Sequence, residues 1–208
     1  MFEIAWWPRR PRKRLDSRSG KRHPVVALFP CDDMKSKPNT EKTVNLKLAL
    51  GAAVRAAKAA GRLMLQNRHS PKRAHLVTQH DIKLELDVRC QRLIENQLGR
   101  AFPQVAVLGE EGVSGANDAA YRWVVDPIDG TVNFTYGIPH ACVSIALQRR
   151  AARRTAATYP DGYDTALGVV YDPFCDELWT AIRGGPARLN GRVIHVSTRR
   201  KLAEAIVS

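Results

Sequence analysis

A short apolar run that ends in two carboxylates constrains this 208-residue chain more than any other feature. The run Trp123–Val125 is typical of a buried strand, and Asp126 and Asp129 follow it with a proline and Ile128 between them. The end of the strand would deliver both carboxylates to one small volume, where their oxygens could bind a hard divalent cation. The turn would also expose the carbonyl oxygen of Ile128 as a further metal ligand.

Gly130 and Thr131 come next, and their N–H groups would lie where a short helix begins. A helix start offers unpaired donors and the positive end of a dipole, which suits a phosphate group. The sequence therefore predicts a metal site beside a phosphate-binding site, the combination needed for phosphoryl transfer. The alternative is a plain turn, because Asp-Pro and Asp-Gly pairs are common turn formers.

The longer string from Trp123 to Phe134 resembles the signature of the inositol monophosphatase family of metal-dependent phosphatases, Trp-x-x-Asp-Pro-Ile-Asp-Gly-Thr-x-Asn-Phe. Residues 137–147 are also similar to that family, and the resemblance extends from about residue 43 to the last residue. It implies an α+β fold, a layered α/β sandwich of the sugar-phosphatase type with helices packed on an antiparallel sheet. The family's second α/β half, with a Trp-Asp motif whose aspartate completes the metal site, has no match here. The resemblance thus implies the N-terminal half of a C-terminally truncated member.

The same resemblance implies an enzymatic activity. Members are hydrolases, and this chain is expected to be a Mg²⁺-dependent phosphatase for a small phosphomonoester, with inositol monophosphate as the leading substrate. The complete family site holds two or three Mg²⁺ ions, and family membership also implies a homodimer. Alternative substrates are histidinol phosphate, a nucleotide 3′-phosphate and a sugar bisphosphate. A second alternative is a catalytically impaired homologue that acts only in binding.

A second acidic motif follows another predicted strand. The apolar segment 105–109 indicates a short buried strand that delivers Glu110 and Glu111. Gly-Glu-Glu resembles the family's second motif, which implies that Glu110 is a metal ligand together with Asp126 and Asp129. Carboxylates at the ends of neighbouring strands could hold Mg²⁺, with water completing the octahedra.

Asp87 is the candidate for the residue that orients and deprotonates the attacking water, together with Thr131, as the resemblance implies. The apolar period changes from two to four at Asp87, so a strand over 81–87 should give way to a helix there. An N-cap is the alternative role for an aspartate at such a junction. Asp81 is a competitor, since it lies in a Thr-x-x-Asp string like the family's. We prefer Asp87 because the helix follows it directly, although Leu84 replaces the family's usual threonine.

The remaining pattern predicts one long helix and several strands. Apolar residues at helical spacing indicate a helix over 43–67, with a buried face formed by Leu50, Val54, Ala57, Gly61 and Met64. Further predicted elements are a helix from 87 to near 99, strands over 141–148, 166–171 and 177–182, a turn over 172–176 and a hairpin at 190–191.

The chain carries a net charge of +13. Residues 1–40 hold ten basic and four acidic residues and are predicted to be a disordered extension, with the α+β domain over 41–208. Met34 is an alternative natural start. Four more arginines fall in a predicted exposed hairpin loop over 149–164, longer than is usual for the family. Such charge predicts only non-specific affinity for nucleic acid, through the basic tail.

The sequence contains no apolar run of the roughly 18 residues that a membrane span needs and no signal peptide. We therefore expect a cytoplasmic protein with no membrane partner. The four cysteines form no Cys-x-x-Cys pair, which predicts buried thiols and not disulfides or zinc ligands.

Overall fold

A computed structural model describes residues 43–70, 74–77, 82–110, 112–114 and 119–204. Glu41–Val196 form one compact unit, which contains every helix and strand discussed below. Residues 197–204 belong to a second unit and include a 3-10 turn at Leu202–Glu204. The extension predicted over 1–40 lies outside the described residues, as do Met34 and Asp81.

The first helix, α1 (Leu46–Asn67), confirms the long helix predicted from the apolar period. It begins after Asn45, whose side chain accepts hydrogen bonds from the N–H groups of Lys47 and Leu48 and so caps the helix. Its buried face is mostly alanine, whereas Leu50 and Val54 are only partly buried at its margin. The small side chains let α1 approach its neighbours closely, which the larger residues of the predicted stripe would prevent.

The second helix corrects a predicted boundary. β1 (Ala74–Val77) pairs antiparallel with β2 (Ile82–Leu84), and α2 (Glu85–Ala101) begins immediately afterwards. The predicted strand over 81–87 was therefore too long, and Asp87 lies in the first turn of α2 and not at its N-cap. Leu86 explains the difference: it is buried and starts a series with spacing of four, so its burial on the helix outweighs the short alternation before it.

Eight strands form one sheet in the order β10-β9-β8-β7-β6-β5-β3-β4. Their bounds, with α3 (Thr131–Thr135) between β5 and β6, are β3 (Ala106–Gly109), β4 (Gly112–Ser114), β5 (Tyr121–Asp129), β6 (Cys142–Arg150), β7 (Tyr163–Asp172), β8 (Glu177–Ile182), β9 (Arg188–Leu189) and β10 (Arg192–Val193). The predicted meander β6–β7–β8 is confirmed as antiparallel. The hairpin at Asn190 and Gly191 is confirmed as well, with positive φ at both residues.

The sequence predicted an antiparallel sheet, but the observed sheet is mixed, because β3 and β5 run parallel. β4 turns back beside β3 on one side, and the chain then crosses to the other side of β3 before β5 begins. β5 thus points in the same direction as β3. This single parallel pair matters for the site described below.

The core lies between one face of the sheet and the two long helices. Alternating residues of β5, β6 and β7 are buried on this face, and α1 and α2 pack side by side against it. Trp123 is fully buried and meets Phe102 edge to face, with ring centroids 5.9 Å apart. The predicted α+β class with helices packed on a sheet is confirmed. Among the described residues, no helix is long and apolar enough to cross a membrane.

Gly61 offers a direct test of this packing. A Cβ atom at this position would lie 2.5 Å from the ring of Tyr171 and 3.1 Å from Pro173, so Gly61→Ala should lower the free energy of unfolding by about 1–3 kcal/mol. Gly51→Ala is the matched control on the same helix, because its Cβ would meet only the end of Arg55 at 3.5 Å. We expect Gly51→Ala to stabilise by about 0.5–1 kcal/mol. Urea unfolding of both variants measures the difference, and similar effects would contradict the packing described here.

Candidate active site

A β-bulge in β5 brings Asp126 and Asp129 to the same side of the sheet. Three residue steps separate them, and in a regular strand they would point to opposite faces. Their partners on β6, Ser144 and Cys142, are only two steps apart, so β5 carries one extra residue here. Such a bulge redirects the side chains that follow it. The run is therefore an irregular strand through Asp129, where a turn after Asp126 had been predicted.

The parallel pairing of β3 with β5 places Glu110 beside these carboxylates. Gly109, the last residue of β3, lies opposite Val125, so Glu110 and Asp126 come next along neighbouring strands that run in the same direction. Glu110 is exposed. Had β3 been antiparallel to β5, Glu110 would lie at the opposite end of the strand pair.

Asp87 faces the same region from the helix layer. It is only 3 % exposed, and its negative charge is among the causes that raise the pKa of Asp126. One turn further along α2, the side chain of Gln91 packs against Gly109, where a Cβ atom would lie 2.3 Å from it. Gln91 thus supports the backbone immediately before Glu110, a role that the sequence did not indicate.

The pKa of Asp126 is raised from 3.8 to about 8. Burial is the largest cause, and the charges of Glu110 and Asp129 add to it, while a hydrogen bond from the Ile128 N–H acts in the opposite direction. The Oδ1 atom of Asp126 is buried and has no hydrogen-bond partner. A buried acceptor without a donor is costly, and a bound cation would satisfy it.

Asp129 is held by contacts that sequence reasoning missed. Burial raises its pKa, whereas a hydrogen bond from the Cys142 thiol and the positive charge of His140 lower it. The Cys142 Sγ atom lies 3.8 Å from Asp129 Oδ2. The amide of Asn133 donates to the His140 carbonyl at 2.9 Å, which ties α3 to the same loop. Only the bulged register of β5 and β6 brings these residues together, so no local pattern could have identified them.

The predicted phosphate-binding residues lie where α3 begins. Gly130 is the N-cap with φ of 93°, and Thr131 is the first helical residue. The Thr131 hydroxyl donates a 2.8 Å hydrogen bond to the carbonyl oxygen of Ile128, the predicted backbone metal ligand. A helix of five residues contributes little dipole, so the N–H groups themselves are what this position offers an anion.

The carboxylates surround Asp126 without converging on one point. Within the described ranges, no three His, Cys, Asp or Glu side chains are arranged closely enough to hold a metal ion. The charges of Asp87, Glu110 and Asp129 nevertheless all act on Asp126. The donor set is oxygen-rich and anionic, as Mg²⁺ prefers, and the unpartnered Asp126 Oδ1 fits a cation.

A cavity of 360 Å³ lies at the other end of α3. Its lining includes Leu65, Phe134, Ile138 and Phe174, with Arg68 and His69 also contributing. None of the predicted site residues lines it.

The sequence matches the model of the Inositol monophosphatase family over residues 45–208. The chain belongs to the inositol monophosphatase family. It is 39 % identical to Inositol monophosphatase 1 of Solanum lycopersicum over 167 residues, which cover 78 % of this chain and 57 % of that protein. It is 36 % identical over 158 residues to a protein of Xylella fastidiosa (strain Temecula1 / ATCC 700964) named Nus factor SuhB, covering 75 % of this chain and 53 % of that protein.

A solved structure has a similar fold. The extragenic suppressor protein suhB from Bartonella henselae superposes with a TM-score of 0.64 at 34 % identity, covering 74 % of this chain and 56 % of that one. The chain spans a little more than half the length of these relatives. These similarities establish the family and the fold of this chain.

Proposed function

We propose that this chain provides the metal- and phosphate-binding residues of a Mg²⁺-dependent phosphatase for small phosphomonoesters, with inositol monophosphate as the leading substrate. The environment of Asp126 carries the proposal. Its Oδ1 atom is buried without a partner, and three further carboxylates act on it electrostatically. A protein with no use for a cation gains nothing from gathering this negative charge, because like charges in a partly buried site oppose folding.

The proposed metal ligands are the carboxylates of Glu110, Asp126 and Asp129 and the carbonyl oxygen of Ile128. Bound Mg²⁺ would neutralise the carboxylates and supply Lewis-acid polarisation of the phosphoryl oxygens and of water. The hydrogen bond from Thr131 to the Ile128 carbonyl fixes the orientation of that oxygen.

The proposed hydrolysis uses the chain's own residues to place water and phosphate. The Thr131 hydroxyl donates its hydrogen bond to the Ile128 carbonyl, so its oxygen is free to accept a hydrogen bond from water. Asp87 would take a proton of that water as the oxygen forms its bond to phosphorus in line and the P–O bond to the alcohol breaks. The leaving oxygen would take a proton from solvent, and Asp87 would return its proton to solvent. The N–H groups of Gly130 and Thr131 would stabilise charge on the phosphoryl oxygens. No covalent phosphoenzyme is needed.

A binding protein without turnover is the second candidate. Relatives named Nus factor SuhB, and not phosphatase, favour it.

Phosphate release separates the two candidates. We expect Mg²⁺-dependent release from inositol 1-phosphate that exceeds release from histidinol phosphate, a nucleoside 3′-phosphate and a sugar bisphosphate, and that EDTA abolishes it. Thermal unfolding with and without Mg²⁺ runs in parallel. A rise in Tm with Mg²⁺ but no release from any ester supports the binding protein, whereas no response to Mg²⁺ in either measurement rejects the proposed metal site.

A further inference from the structure

The end of β6, the connection that follows it and the first residue of β7 form an ordered extension, residues 149–163, that we call the arginine hairpin. A backbone hydrogen bond from Ala151 N to the Gly162 carbonyl at 2.9 Å joins its two sides, and one from Tyr159 N to the Tyr163 carbonyl at 2.8 Å closes a turn on the returning side. The guanidinium of Arg154 donates to the Pro160 carbonyl at 2.9 Å across the tip. The hairpin therefore has a defined shape.

Two acidic residues in or beside the arginine hairpin are already engaged by arginines from other strands. Asp161 forms a salt bridge with Arg122, whose guanidinium also lies 3.8 Å from the centre of the Tyr163 ring. Asp164 pairs with Arg183 at 3.8 Å. These acids are thus not available to neutralise the arginines of the hairpin itself.

Four arginines of the hairpin remain uncompensated: Arg149, Arg150, Arg153 and Arg154. All four are exposed, and within the part of the chain that the structure describes none forms a salt bridge. Arg150 lies over the Tyr163 ring at 5.2 Å, and Arg154 donates to the Pro160 carbonyl, but neither contact neutralises a charge. The four like charges within six residues therefore repel one another. An external anion would remove this repulsion.

The arginine hairpin lies at the opposite end of β5 from the carboxylates. Tyr121, at the start of β5, pairs with Arg149, and Asp126 lies five residues further along the strand. That separation is about 17 Å at the usual rise per residue, roughly two Debye lengths at physiological salt. A polyanion on the hairpin would therefore be little repelled by the acidic site.

We propose that the arginine hairpin binds the phosphate backbone of single-stranded nucleic acid. Guanidinium forks match phosphate oxygens, and a flexible strand can adapt its phosphates to four arginines on a narrow hairpin. The tip, residues 151–158, offers only alanine, threonine and arginine side chains, so it has no large apolar group to insert into a bilayer. The Tyr163 ring is buried and covered by Arg122 and leaves no face for a base, which makes the binding independent of base sequence.

The test compares two variants of the full chain that lose the same charge. One replaces the four hairpin arginines with glutamine, and the other replaces four exposed helix arginines: Arg55, Arg62, Arg89 and Arg92. Binding of a fluorescein-labelled 20-nucleotide oligouridine is followed by anisotropy from 50 to 300 mM NaCl. We expect the hairpin variant to bind at least about tenfold more weakly at 100 mM NaCl, with a salt slope smaller by about 2–3, since each phosphate contact on a single strand contributes roughly 0.7. The helix variant should change less than threefold.

A third variant guards against misfolding. Arg149→Gln with Arg153→Gln leaves the Arg154 contact to Pro160 intact and should give about half of the change in slope. Equal weakening by the hairpin and helix variants would overturn the proposal, because net charge alone would then explain the binding. Unchanged binding by the hairpin variant would overturn it as well, and so would tighter binding to phosphatidylglycerol vesicles than to the oligonucleotide at equal anion concentration.

Discussion

Asp126→Asn is expected to abolish the proposed Mg²⁺-dependent phosphate release while stabilising the metal-free fold at alkaline pH. Asparagine keeps the shape of the side chain but removes the anionic oxygen from a centre on which three other carboxylates act. Loss of a residue that merely supports a metal ligand costs roughly 10–100-fold, so loss of a ligand should lower kcat/KM by more than about a hundredfold. Steady-state phosphate release measures this loss, and the increase of Tm with Mg²⁺ should disappear with it.

The stability effect follows from the raised pKa of Asp126, from 3.8 to about 8. A carboxyl group whose pKa is higher in the folded than in the unfolded state favours folding while it is protonated. This contribution is fully present below pH 3.8 and is lost as the pH rises through 8. At pH 8.5 without metal, Asp126→Asn should therefore raise the free energy of unfolding by roughly 2 kcal/mol and Tm by about 4–8 °C. This difference should shrink as the pH falls toward 3.8, the ordinary pKa of the carboxyl group, where the two proteins should unfold within about 1 °C of each other.

Glu177→Gln is the matched control for charge. Glu177 begins β8, three strands from β5 in the sheet, or about 14 Å away at the usual strand spacing. It should leave phosphate release and its dependence on Mg²⁺ unchanged. If Asp126→Asn keeps its Mg²⁺ response, or if its stability does not depend on pH relative to the native chain, the metal site around Asp126 is wrong.

Gly130→Ala is expected to unfold the corner that joins β5 to α3. Gly130 has φ of 93°, where an L residue is strained by about 1–2 kcal/mol. Its Cβ atom would also lie 2.8 Å from the carbonyl oxygen of His140 and 3.2 Å from the Cα of Ala141, both of them backbone atoms. Together these should cost about 3 kcal/mol or more, a fall in Tm of roughly 6–12 °C. Displacement of Asp129 and Thr131 should weaken the Mg²⁺ response at the same time.

Gly137→Ala separates strain from steric overlap. Gly137 has φ of 74°, but a Cβ atom there would meet nothing within 4 Å. It should therefore show only the cost of the backbone conformation, about 1 kcal/mol. Thermal unfolding of both variants measures the difference, and equal destabilisation would show that the 140–141 backbone does not constrain Gly130 as described.

Most secondary structure was predictable because each element carries a strong local pattern. β8 was predicted at its observed bounds, and α1 within three residues. The prediction failed where one residue fits two periods, as Leu86 does at the start of α2. The prediction of buried thiols is confirmed for Cys90 and Cys142 and is wrong for Cys175, which is exposed. Cys175 lies in a turn outside the sheet.

The catalytic and metal-binding roles of the site residues stay predictions, whereas the structure shows where these residues lie. Asp126, Asp129 and Glu110 were chosen because carboxylates follow apolar strands, and they do lie at the same end of β3 and β5. The sequence predicted no role for three other residues, Asn133, His140 and Cys142. Asn133 donates to the His140 carbonyl, and both His140 and Cys142 act on Asp129 from other parts of the chain. Such contacts between separate segments leave no local pattern.

The sequence by itself determined which residues form helices and strands and which carboxylates end them, because the period of apolar residues and the chemistry of side chains are local properties. Only the tertiary structure decided that these carboxylates lie near enough to act on one another. Two features that no single segment encodes bring them together. The parallel pairing of β3 with β5 puts Glu110 beside Asp126. The extra residue in β5 turns Asp126 and Asp129 to one side, because it is defined only by the register of β5 against β6.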